Sequence, residues 1–516
     1  MEQSSMGKTD SKTYRNLSMA RQIAGQLIMI RMPGTVLDDD TAKFLRDNHI
    51  RAVCLFRQNM VNAEQLSKLT ADLRAVMGPK ALIGIDQEGG AVVRATWLPS
   101  PPAAMALGAA DDLALAQAVG AAVARGIKSL GFNWNFAPVL DLNNNPANPV
   151  IGERSFGSDP KRATELALAW MEGSLAEGVA CCVKHFPGHG DTHVDSHRDL
   201  PTVDKPRYAL DALELAPFKA ARRAPAMMSA HIVYPALDAE HPATLSRKIL
   251  TDLLRTEWGY RGVIITDGMD MHAIAGRYGV GNAAVQALAA GADMVMALGN
   301  RTTQEETLTA LSTALASAFD DDELAAAGIE TRLDRLDGLA AKYPCAPGPY
   351  LTHAADRSLM LDGWRCGLTT AGNPQPLADG AKVRLLACAD AAGDGVAEAG
   401  LSAAAIAALL ARRYDVDLVT FDDAENVDWD ALPDDGRIVI LASTTRLRYG
   451  PKASRNLRPD LHLALWNPFQ TLDIDAPALI SYGFAPEALE AVADWLAGRI
   501  TASGKLPVAI LEPALT

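Results

Sequence analysis

Four histidines and three aspartates lie within one short stretch of the chain, KHFPGHGDTHVDSHRDLP at 184–201. The whole chain has only ten histidines. The apolar run before Lys184 is typical of a buried strand, and Pro187, Gly188 and Gly190 break regular structure after it. A histidine beside a carboxylate can move protons at neutral pH, because its unperturbed pKa lies near neutrality. The sequence therefore predicts a strand that leads into a loop suited to acid–base chemistry.

His197 is a candidate proton donor within this loop. Asp195 lies two residues away, and it could hold the tautomer of His197 and stabilise its cation if the loop curls. Metal binding is an alternative, because the loop offers side chains of ligand type at close spacing, namely His189, His193, Asp195 and His197. Zinc sites usually draw ligands from regular elements or paired cysteines, so proton transfer is favoured over a metal site and over a plain solvated loop.

Two further motifs place carboxylates at the ends of apolar runs. In IITDGMDM at 264–271, Asp267 could act as a nucleophile or an electrostatic stabiliser, or it could simply cap a helix. In GIDQEGG at 84–90, Asp86 could accept two sugar hydroxyls, while the paired glycines let the backbone approach a ligand. The alternative for this second motif is a turn with an acidic cap.

Two arginines accompany these carboxylates. Arg94 follows the GIDQEGG segment, and Arg154 lies in GERSFG at 152–157, within a long loop after Asp141. A guanidinium at Arg154 could clamp a hydroxyl, or it could brace its loop by a salt bridge.

The elements that would position these side chains repeat one pattern through the first two thirds of the chain. Apolar runs that end in polar residues alternate with Ala- and Leu-rich helical stretches, and the runs lie at 26–32, 52–56, 81–86, 136–141, 179–185, 226–231, 262–267 and 293–298. Eight such units predict a (β/α)8 TIM-type barrel, with a doubly wound sheet as the alternative. Barrel chemistry lies at the carboxyl ends of strands, and the charged residues at these run ends are Asp86, Asp141, Lys184, His185, His231 and Asp267.

A domain boundary is predicted at YPCAPGPY, residues 343–350, where three prolines and a glycine interrupt the helical pattern. We therefore predict a catalytic (β/α)8 domain at 1–345 and a smaller three-layer α/β domain at 346–516. Few residues of the second domain stand out chemically.

Composition narrows the class of protein. The net charge is −14, from 48 basic and 62 acidic residues, and no basic run stands out, which argues against nucleic acid and against a membrane surface as partners. No segment approaches the roughly 18–20 apolar residues of a membrane span, and the first residues lack the apolar stretch of a signal peptide. Six cysteines in 516 residues make no disulfide framework, so we expect reduced thiols in a cytoplasmic protein.

The motifs together resemble glycoside hydrolase family 3. Six segments occur in that family's order between 84 and 271: DQEGG, FAPVLD, ERSFG, KHFPGHGDTHVDSH, SAHIVYPALD and ITDGMDM. More narrowly, the chain resembles the bacterial β-N-acetylglucosaminidases, whose mark is the KHFPGHG…DSH loop. The segment ASGKLPV at 502–508 is similar to the GKLP segment of two-domain members.

The resemblance implies a role for each matching residue. Asp267 would be the nucleophile of a retaining reaction, with His197 as acid and then base and Asp195 as its partner. The N-acetylglucosamine would be bound by Asp86, Arg154, Lys184 and His185, with Arg94 and His231 as further candidates. Many relatives carry a second aspartate directly after the nucleophile, where this chain has Gly268.

The resemblance further implies an exo-acting β-N-acetylglucosaminidase that needs no cofactor or metal and takes small carbohydrates, such as cell-wall fragments or chitin oligosaccharides. β-Glucosidase-like members lack the histidine loop and use a glutamate of the second domain, so an acetamido sugar is favoured over glucose or xylose. A histidine acid avoids like-charge repulsion with Asp267 and leaves room for phosphate, so phosphorolysis stays open. A sugar-binding protein without catalysis and a metal-dependent hydrolase on a barrel are the remaining alternatives.

Overall fold

The computed structural model describes residues 17–193, 199–321, 323–389 and 400–509. In its first part the chain forms the strands β1 (Ile28–Arg31), β2 (Ala52–Cys54), β3 (Leu82–Ile85), β4 (Gln87–Gly89), β5 (Val92–Val93), β6 (Trp134–Asn135), β7 (Ala180–Phe186), β8 (Ala226–Ser229), β9 (Val263–Gly268) and β10 (Met294–Ala297). Eight of these close into a barrel in the order β1-β10-β9-β8-β7-β6-β3-β2, and β4 pairs with β5 in a separate hairpin. All pairs in the barrel are parallel, so the (β/α)8 prediction is confirmed and the doubly wound alternative is wrong.

The fourth predicted strand lies elsewhere than the sequence pattern suggested. The run at 136–141 was expected to pair throughout, but β6 covers only Trp134–Asn135 and pairs there with β3 and β7. Pro138 interrupts the ladder, because a proline has no N–H to donate. Pairing resumes beyond it, where Val139 bridges Lys184 and Leu140 N donates to the carbonyl of Lys184 at 2.7 Å.

Helices cover the outside of the barrel. They span 17–26, Asp39–Asp47, Ala63–Met77, Ala104–Ala110, Leu113–Ser129, Pro160–Ala176, Arg207–Ala212, Leu215–Ala220, His272–Tyr278, Val280–Ala290, Arg301–Asp321 and Glu323–Lys342, with a π-helix at Lys248–Glu257 and short 3-10 turns at Arg57–Asn59, Gly152–Arg154 and Ala243–Leu245. None of the helices in the described ranges combines the length and apolarity needed to cross a bilayer.

Two of these helices pack unusually closely. Asp112 caps the helix Leu113–Ser129 by accepting from the N–H of Ala114 at 2.8 Å and of Leu115 at 3.1 Å. A Cβ at Gly120 would lie 2.0 Å from the carbonyl oxygen of Trp170, on the helix Pro160–Ala176. The two backbones can therefore touch only because glycine has no side chain.

The second part of the chain forms one open sheet. Its strands are β11 (Thr369–Ala371), β12 (Lys382–Cys388), β13 (Asp415–Phe421), β14 (Ile438–Ser443), β15 (Leu461–Ala464) and β16 (Ala478–Ile480), in the order β11-β16-β15-β14-β12-β13. Only β11 runs antiparallel to its neighbour. Around it lie the helices His353–Gly367, Ala403–Leu410, Pro451–Asn456 and Pro486–Leu496 and the 3-10 turns Ala424–Asn426, Trp429–Ala431 and Pro468–Leu472.

Both faces of this sheet are covered, as a three-layer domain requires. On one face Leu385 packs in a core with Trp364 and Trp495, and on the other Leu386 packs with Leu441 and Leu457. The predicted smaller α/β domain is therefore confirmed as a fold class, and its boundary at 345/346 stays a prediction.

The barrel and the second domain are in direct contact. Trp364 is fully buried and donates from Nε1 to the carbonyl of Ser100 at 3.0 Å. The last described residues return to the barrel, where Lys505 N donates to Ala109 O at 2.9 Å and Ser158 N donates to Pro507 O at 3.0 Å. The second domain is thus bonded to the barrel through its first helix and its final segment.

Candidate active site

The carboxyl ends of the barrel strands surround a cavity of about 340 Å³. Six of the predicted site residues line it: Asp86, Arg94, Arg154, Lys184, His185 and Asp267. They come from four different strand ends and the long loop after β6, so the closure of the barrel is what brings them together. His231 does not appear in this lining, and the predicted catalytic residues Asp195 and His197 lie outside the described residues.

Lys184 is the centre of the buried charges in the cavity. Its Nζ lies 2.6 Å from Asp86 Oδ1 and 2.7 Å from Glu88 Oε1. Burial disfavours its charge, but Asp86 and Glu88 outweigh that effect and raise the pKa of Lys184 above its ordinary value. The ammonium group is therefore permanently charged at neutral pH and can donate to a ligand oxygen.

Glu88 joins this lysine to Arg154. The guanidinium meets the carboxylate in a two-pronged contact, with Nε 2.8 Å from Oε2 and Nη2 2.9 Å from Oε1. Burial opposes ionisation, but the charges of Arg154 and Lys184 outweigh it and hold the pKa of Glu88 well below its usual range. The carboxylate thus fixes two cations that face the cavity.

His185 is oriented by a buried aspartate. Its Nδ1 lies 2.7 Å from Asp141 Oδ2, and Arg154 Nη2 lies 3.5 Å from its Nε2. An arginine can only donate, so Nε2 accepts and the ring proton is on Nδ1. Asp141 also accepts from the backbone N–H of His189 at 2.6 Å. Burial opposes its charge, but His185 and the bonds from His189 outweigh burial and lower the pKa of Asp141.

His189 lines the same cavity. Burial, together with the neighbouring His185, lowers the pKa of His189 to about 4, so this imidazole is neutral at physiological pH. Its Nδ1 lies 2.9 Å from Thr192 Oγ1, and Asn148 Nδ2 donates to its carbonyl at 2.9 Å. These contacts hold His189 and its backbone in place at the start of the loop.

Asp267 lies near the end of β9 and points a carboxylate into the cavity. Its Oδ1 accepts from the N–H of Gly268 at 2.8 Å. His231 lies behind this pair, where its Nε2 donates to the carbonyl of Gly268 at 2.9 Å and its Nδ1 lies 2.9 Å from Thr244 Oγ1. The contact with the Gly268 carbonyl suits His231 to positioning the end of β9.

The residue after Asp267 is glycine, and a neighbouring acid lies close to it. A Cβ at Gly268 would lie 3.3 Å from Asp270 Oδ1, closer than an ordinary contact. Asp270 also lines the cavity, and burial, with a contribution from the charge of Asp267, raises its pKa. A second acid of the cavity thus lies three residues after Asp267.

Arg94 is buried and directly follows the hairpin of β4 and β5. Its Nη2 lies 3.5 Å from Asp86 Oδ2, and its guanidinium lies 5.8 Å from the ring centre of Phe56. Gln87 accepts from its backbone N–H at 2.9 Å. Arg94 therefore faces the same carboxylate that Lys184 holds from the other side.

The described parts of the histidine loop are tied to the barrel. Lys205 Nζ lies 2.6 Å from Asp191 Oδ2 and 2.5 Å from Glu214 Oε1, and Asn145 Nδ2 lies 3.4 Å from His193 Nδ1. Among the residues that the structure describes, groups with metal-ligand geometry meet at Asp238, Glu240 and His241, which do not line the cavity.

Sequence reasoning missed Glu88 and Asp270 and gave Asp141 no role in the site. Glu88 lies inside the DQEGG motif, two residues after Asp86. Its partners Arg154 and Lys184 are 66 and 96 residues away in sequence, so the motif alone does not show them. Asp141 was noticed as a strand-end acid, and its contact with His185 depends on neighbouring strands that only the closed barrel defines. Asp270 had the weak signal of an acid near the end of β9.

Residues 19–339 match the model of the Glycosyl hydrolase family 3 N terminal domain. Over 390 residues the chain is 35% identical to Beta-hexosaminidase A of Pseudoalteromonas piscicida, an alignment that spans 70% of this chain and 62% of that protein. The chain therefore covers less than two thirds of the length of this relative.

Solved structures extend the similarity to both domains. A family 3 beta-N-acetylglucosaminidase from Paenibacillus sp. str. FPU-7 superposes with a TM-score of 0.85 at 32% identity, over 95% of this chain and 98% of that chain. NagZ from Neisseria gonorrhoeae, solved in complex with N-trifluoroacetyl-D-glucosamine, covers 61% of this chain and 98% of its own, with a TM-score of 0.51 at 31% identity. The chain therefore belongs to glycosyl hydrolase family 3, and it is a glycoside hydrolase that resembles the β-N-acetylglucosaminidases of that family.

Proposed function

We propose that the protein is a retaining exo-β-N-acetylglucosaminidase that releases terminal β-linked N-acetylglucosamine from small carbohydrates such as cell-wall fragments or chitin oligosaccharides. The observation that carries the proposal is the placement of Asp267 in the same cavity as the Asp86–Lys184–Glu88–Arg154 cluster. One wall offers a nucleophile and the other offers a fixed set of charged donors and acceptors. The similarity to the Paenibacillus β-N-acetylglucosaminidase supports the choice of sugar.

Sugar binding follows from the charges of the cluster. Asp86 is partly open to the cavity and can accept two hydroxyls, while Lys184 and Arg154 can donate to ring or acetamido oxygens. His185 lines the cavity with its ring fixed, because Nδ1 donates to Asp141 and Nε2 accepts from Arg154. A cluster that is already paired in the empty site needs little rearrangement to bind a neutral sugar.

The reaction then takes two steps. In the first, a carboxylate oxygen of Asp267 bonds to the anomeric carbon as the glycosidic C–O bond breaks, and His197 gives its proton to the departing oxygen. In the second, His197 takes a proton from water, the water oxygen bonds to the anomeric carbon, and the bond to Asp267 breaks. Asp195 would stabilise the imidazolium that is present before the first step and again after the second. Two inversions leave the product in the β configuration.

Proton NMR of the first product formed from an aryl β-N-acetylglucosaminide tests the stereochemistry. We expect the β-anomer to appear first and the α-anomer only by mutarotation, and an initial α-anomer would overturn the retaining mechanism.

A parallel set of aryl β-glycosides tests the sugar, and faster release from the glucoside or xyloside would overturn the acetamido preference. In the presence of inorganic phosphate, the product should still be free N-acetylglucosamine. Formation of N-acetylglucosamine 1-phosphate would show that the enzyme is a phosphorylase and would overturn hydrolysis.

We further infer a reducing compartment, consistent with the cytoplasm. The six cysteines all lie in the described part of the chain and form no disulfide there, and Cys54, Cys181 and Cys182 are buried. Labelling of free thiols in protein isolated under trapping conditions should find all six reduced.

A further inference from the structure

We propose that Arg446 of the second domain is a positioning residue for sugar binding, acting through the Val150 carbonyl on Arg154. This inference rests on the proposed function, because it assumes that Arg154 helps to bind the sugar. The carbonyl oxygen of Val150 accepts from Arg446 Nη1 at 2.6 Å and from Arg154 Nη1 at 3.2 Å. One backbone oxygen thus joins an arginine of each domain, and both Val150 and Arg154 line the cavity.

Arg446 is held rigidly within its own domain. It follows the carboxyl end of β14, and side chains from the next connection fix its backbone: Asn467 donates to its carbonyl at 2.7 Å, and Gln470 donates to the carbonyls of Thr445 and Leu447 at 3.1 Å and 2.9 Å. Its guanidinium lies 5.0 Å from the ring centre of Trp466. A side chain fixed in this way can act as a strut rather than follow the barrel loop.

The barrel partner of this strut is the segment 148–154. Asn148 Oδ1 accepts from the N–H of Val150 at 3.0 Å and of Ile151 at 2.7 Å, and its Nδ2 donates to the carbonyl of His189 at 2.9 Å. The short 3-10 turn that ends at Arg154 follows directly. The segment therefore connects the second domain, the histidine loop and the sugar-binding arginine.

A buried acid makes the contact sensitive to the loss of Arg446. Glu153 is almost fully buried, and Arg446 Nη2 lies 3.5 Å from its Oε1. Burial raises the pKa of Glu153, and the charge of Arg446 opposes that rise. Without the arginine, Glu153 would lose one of the charges that oppose its burial, and the Val150 carbonyl would lose one of its two arginine donors.

The expected consequence is weaker sugar binding with little change in the chemical step. Arg154 binds the sugar in the ground state and in the transition state alike, whereas Asp267 and the histidine loop perform the bond changes. A displaced Arg154 should therefore raise KM and leave kcat nearly unchanged.

Arg446→Met tests this, with Arg448→Met as the matched control. Arg448 lies two residues further on and pairs with Asp473 inside the second domain, 3.1 Å from Nε to Oδ1, so its loss perturbs the same loop without touching the barrel segment. With an aryl β-N-acetylglucosaminide, we expect Arg446→Met to raise KM and the inhibition constant of N-acetylglucosamine about tenfold, with kcat within about twofold. Arg448→Met should leave both constants unchanged while lowering the melting temperature.

Equal effects of the two variants on KM would overturn the proposal, since that would be a general disturbance of the second domain. If Arg446→Met alone fails to fold, the double variant Arg446→Met/Glu153→Gln provides a second test, because it also removes the buried acid. KM should remain raised in this double variant, because the Val150 carbonyl still lacks the Arg446 donor, and a return to the wild-type KM would also overturn the proposal. If the glucoside proves the better substrate, the proposed function fails, and the same variants measured on the glucoside still test Arg446.

Discussion

Parallel strands end at two places in this molecule, at the mouth of the barrel and at the carboxyl edge of the second sheet. At the barrel mouth, Lys184, Glu88 and Arg154 are almost fully buried and bonded to one another across three chain segments. At the edge of the second sheet, the acids Asp422 and Asp423 are exposed. Both edges are formed by the carboxyl ends of parallel strands, but the first belongs to a closed barrel and the second to an open sheet.

Closure of the sheet explains the difference. In a barrel the strand ends form a ring, so side chains from distant strands point at a common centre and can be buried together. In an open sheet the strand ends form a row, and each loop meets mainly its neighbours. Among the described residues, Arg446 of the second domain reaches the segment beside the active site, where it contacts the Val150 carbonyl and Glu153.

The largest effect should come from the proposed nucleophile at the barrel mouth. Asp267→Asn removes the group that bonds to the anomeric carbon while keeping its size, so kcat/KM should fall at least ~10³-fold. Steady-state rates on an aryl β-N-acetylglucosaminide measure the loss, and an unchanged melting temperature shows that the fold is intact. A variant with more than a few per cent of the wild-type rate would remove Asp267 from the role.

Glu88→Gln should produce the next largest effect, on stability and activity together. It leaves Lys184 and Arg154 buried with a weaker partner, and breaking such a buried pair costs about 3–5 kcal/mol. Both cations face the sugar, so KM should also rise. Urea denaturation and steady-state kinetics measure the two effects.

Asp86→Asn is the matched control for that change. Asp86 is more open to the cavity than Glu88, with 15% of its side chain exposed against 7%. We therefore expect Asp86→Asn to raise KM with a smaller loss of stability. If the two variants lost stability equally, Glu88 would not be the main structural link between the cations.

The stability gap between wild type and Glu88→Gln should depend on pH. The pKa of Glu88 is held well below its usual range by Arg154 and Lys184 against the effect of burial, whereas in the unfolded chain it is about 4.3. Between these values the unfolded chain binds a proton that the folded chain does not, so this stability is complete above the unfolded pKa and is lost as pH falls toward the folded one.

Thermal unfolding from about pH 7 down to about pH 3.5 measures this dependence. The difference in melting temperature between the two proteins should stay constant in the neutral range and shrink below about pH 4.3, because glutamine does not titrate. A gap that widened on acidification would mean that the folded pKa of Glu88 is raised rather than lowered.

The contrast between the closed barrel and the open sheet also explains which site residues could be predicted from the sequence. Strand-end residues such as Asp86, Lys184 and Asp267 could be predicted, because alternating apolar runs and helices locate the carboxyl ends of a parallel barrel. Glu88 and Asp141 could not be assigned, because their partners lie across strands and are brought together only by closure. Arg446 carried no signal at all, since its role depends on how the second domain packs against the barrel. The strand predicted at 136–141 was misplaced because it was inferred from hydrophobicity alone, which takes no account of the missing N–H of Pro138.

The smallest effect should come from the exposed edge of the second sheet. Asp423 accepts from the N–H of Glu425 at 2.9 Å and caps the 3-10 turn Ala424–Asn426. Asp423→Ala should therefore cost about 1 kcal/mol in urea denaturation, which is typical of a lost cap, and leave kcat and KM unchanged. Asp423→Asn keeps an acceptor and should restore most of that stability. A change in KM with Asp423→Ala would mean that this edge communicates with the sugar site, because the side chain of Asp423 caps a turn of its own domain.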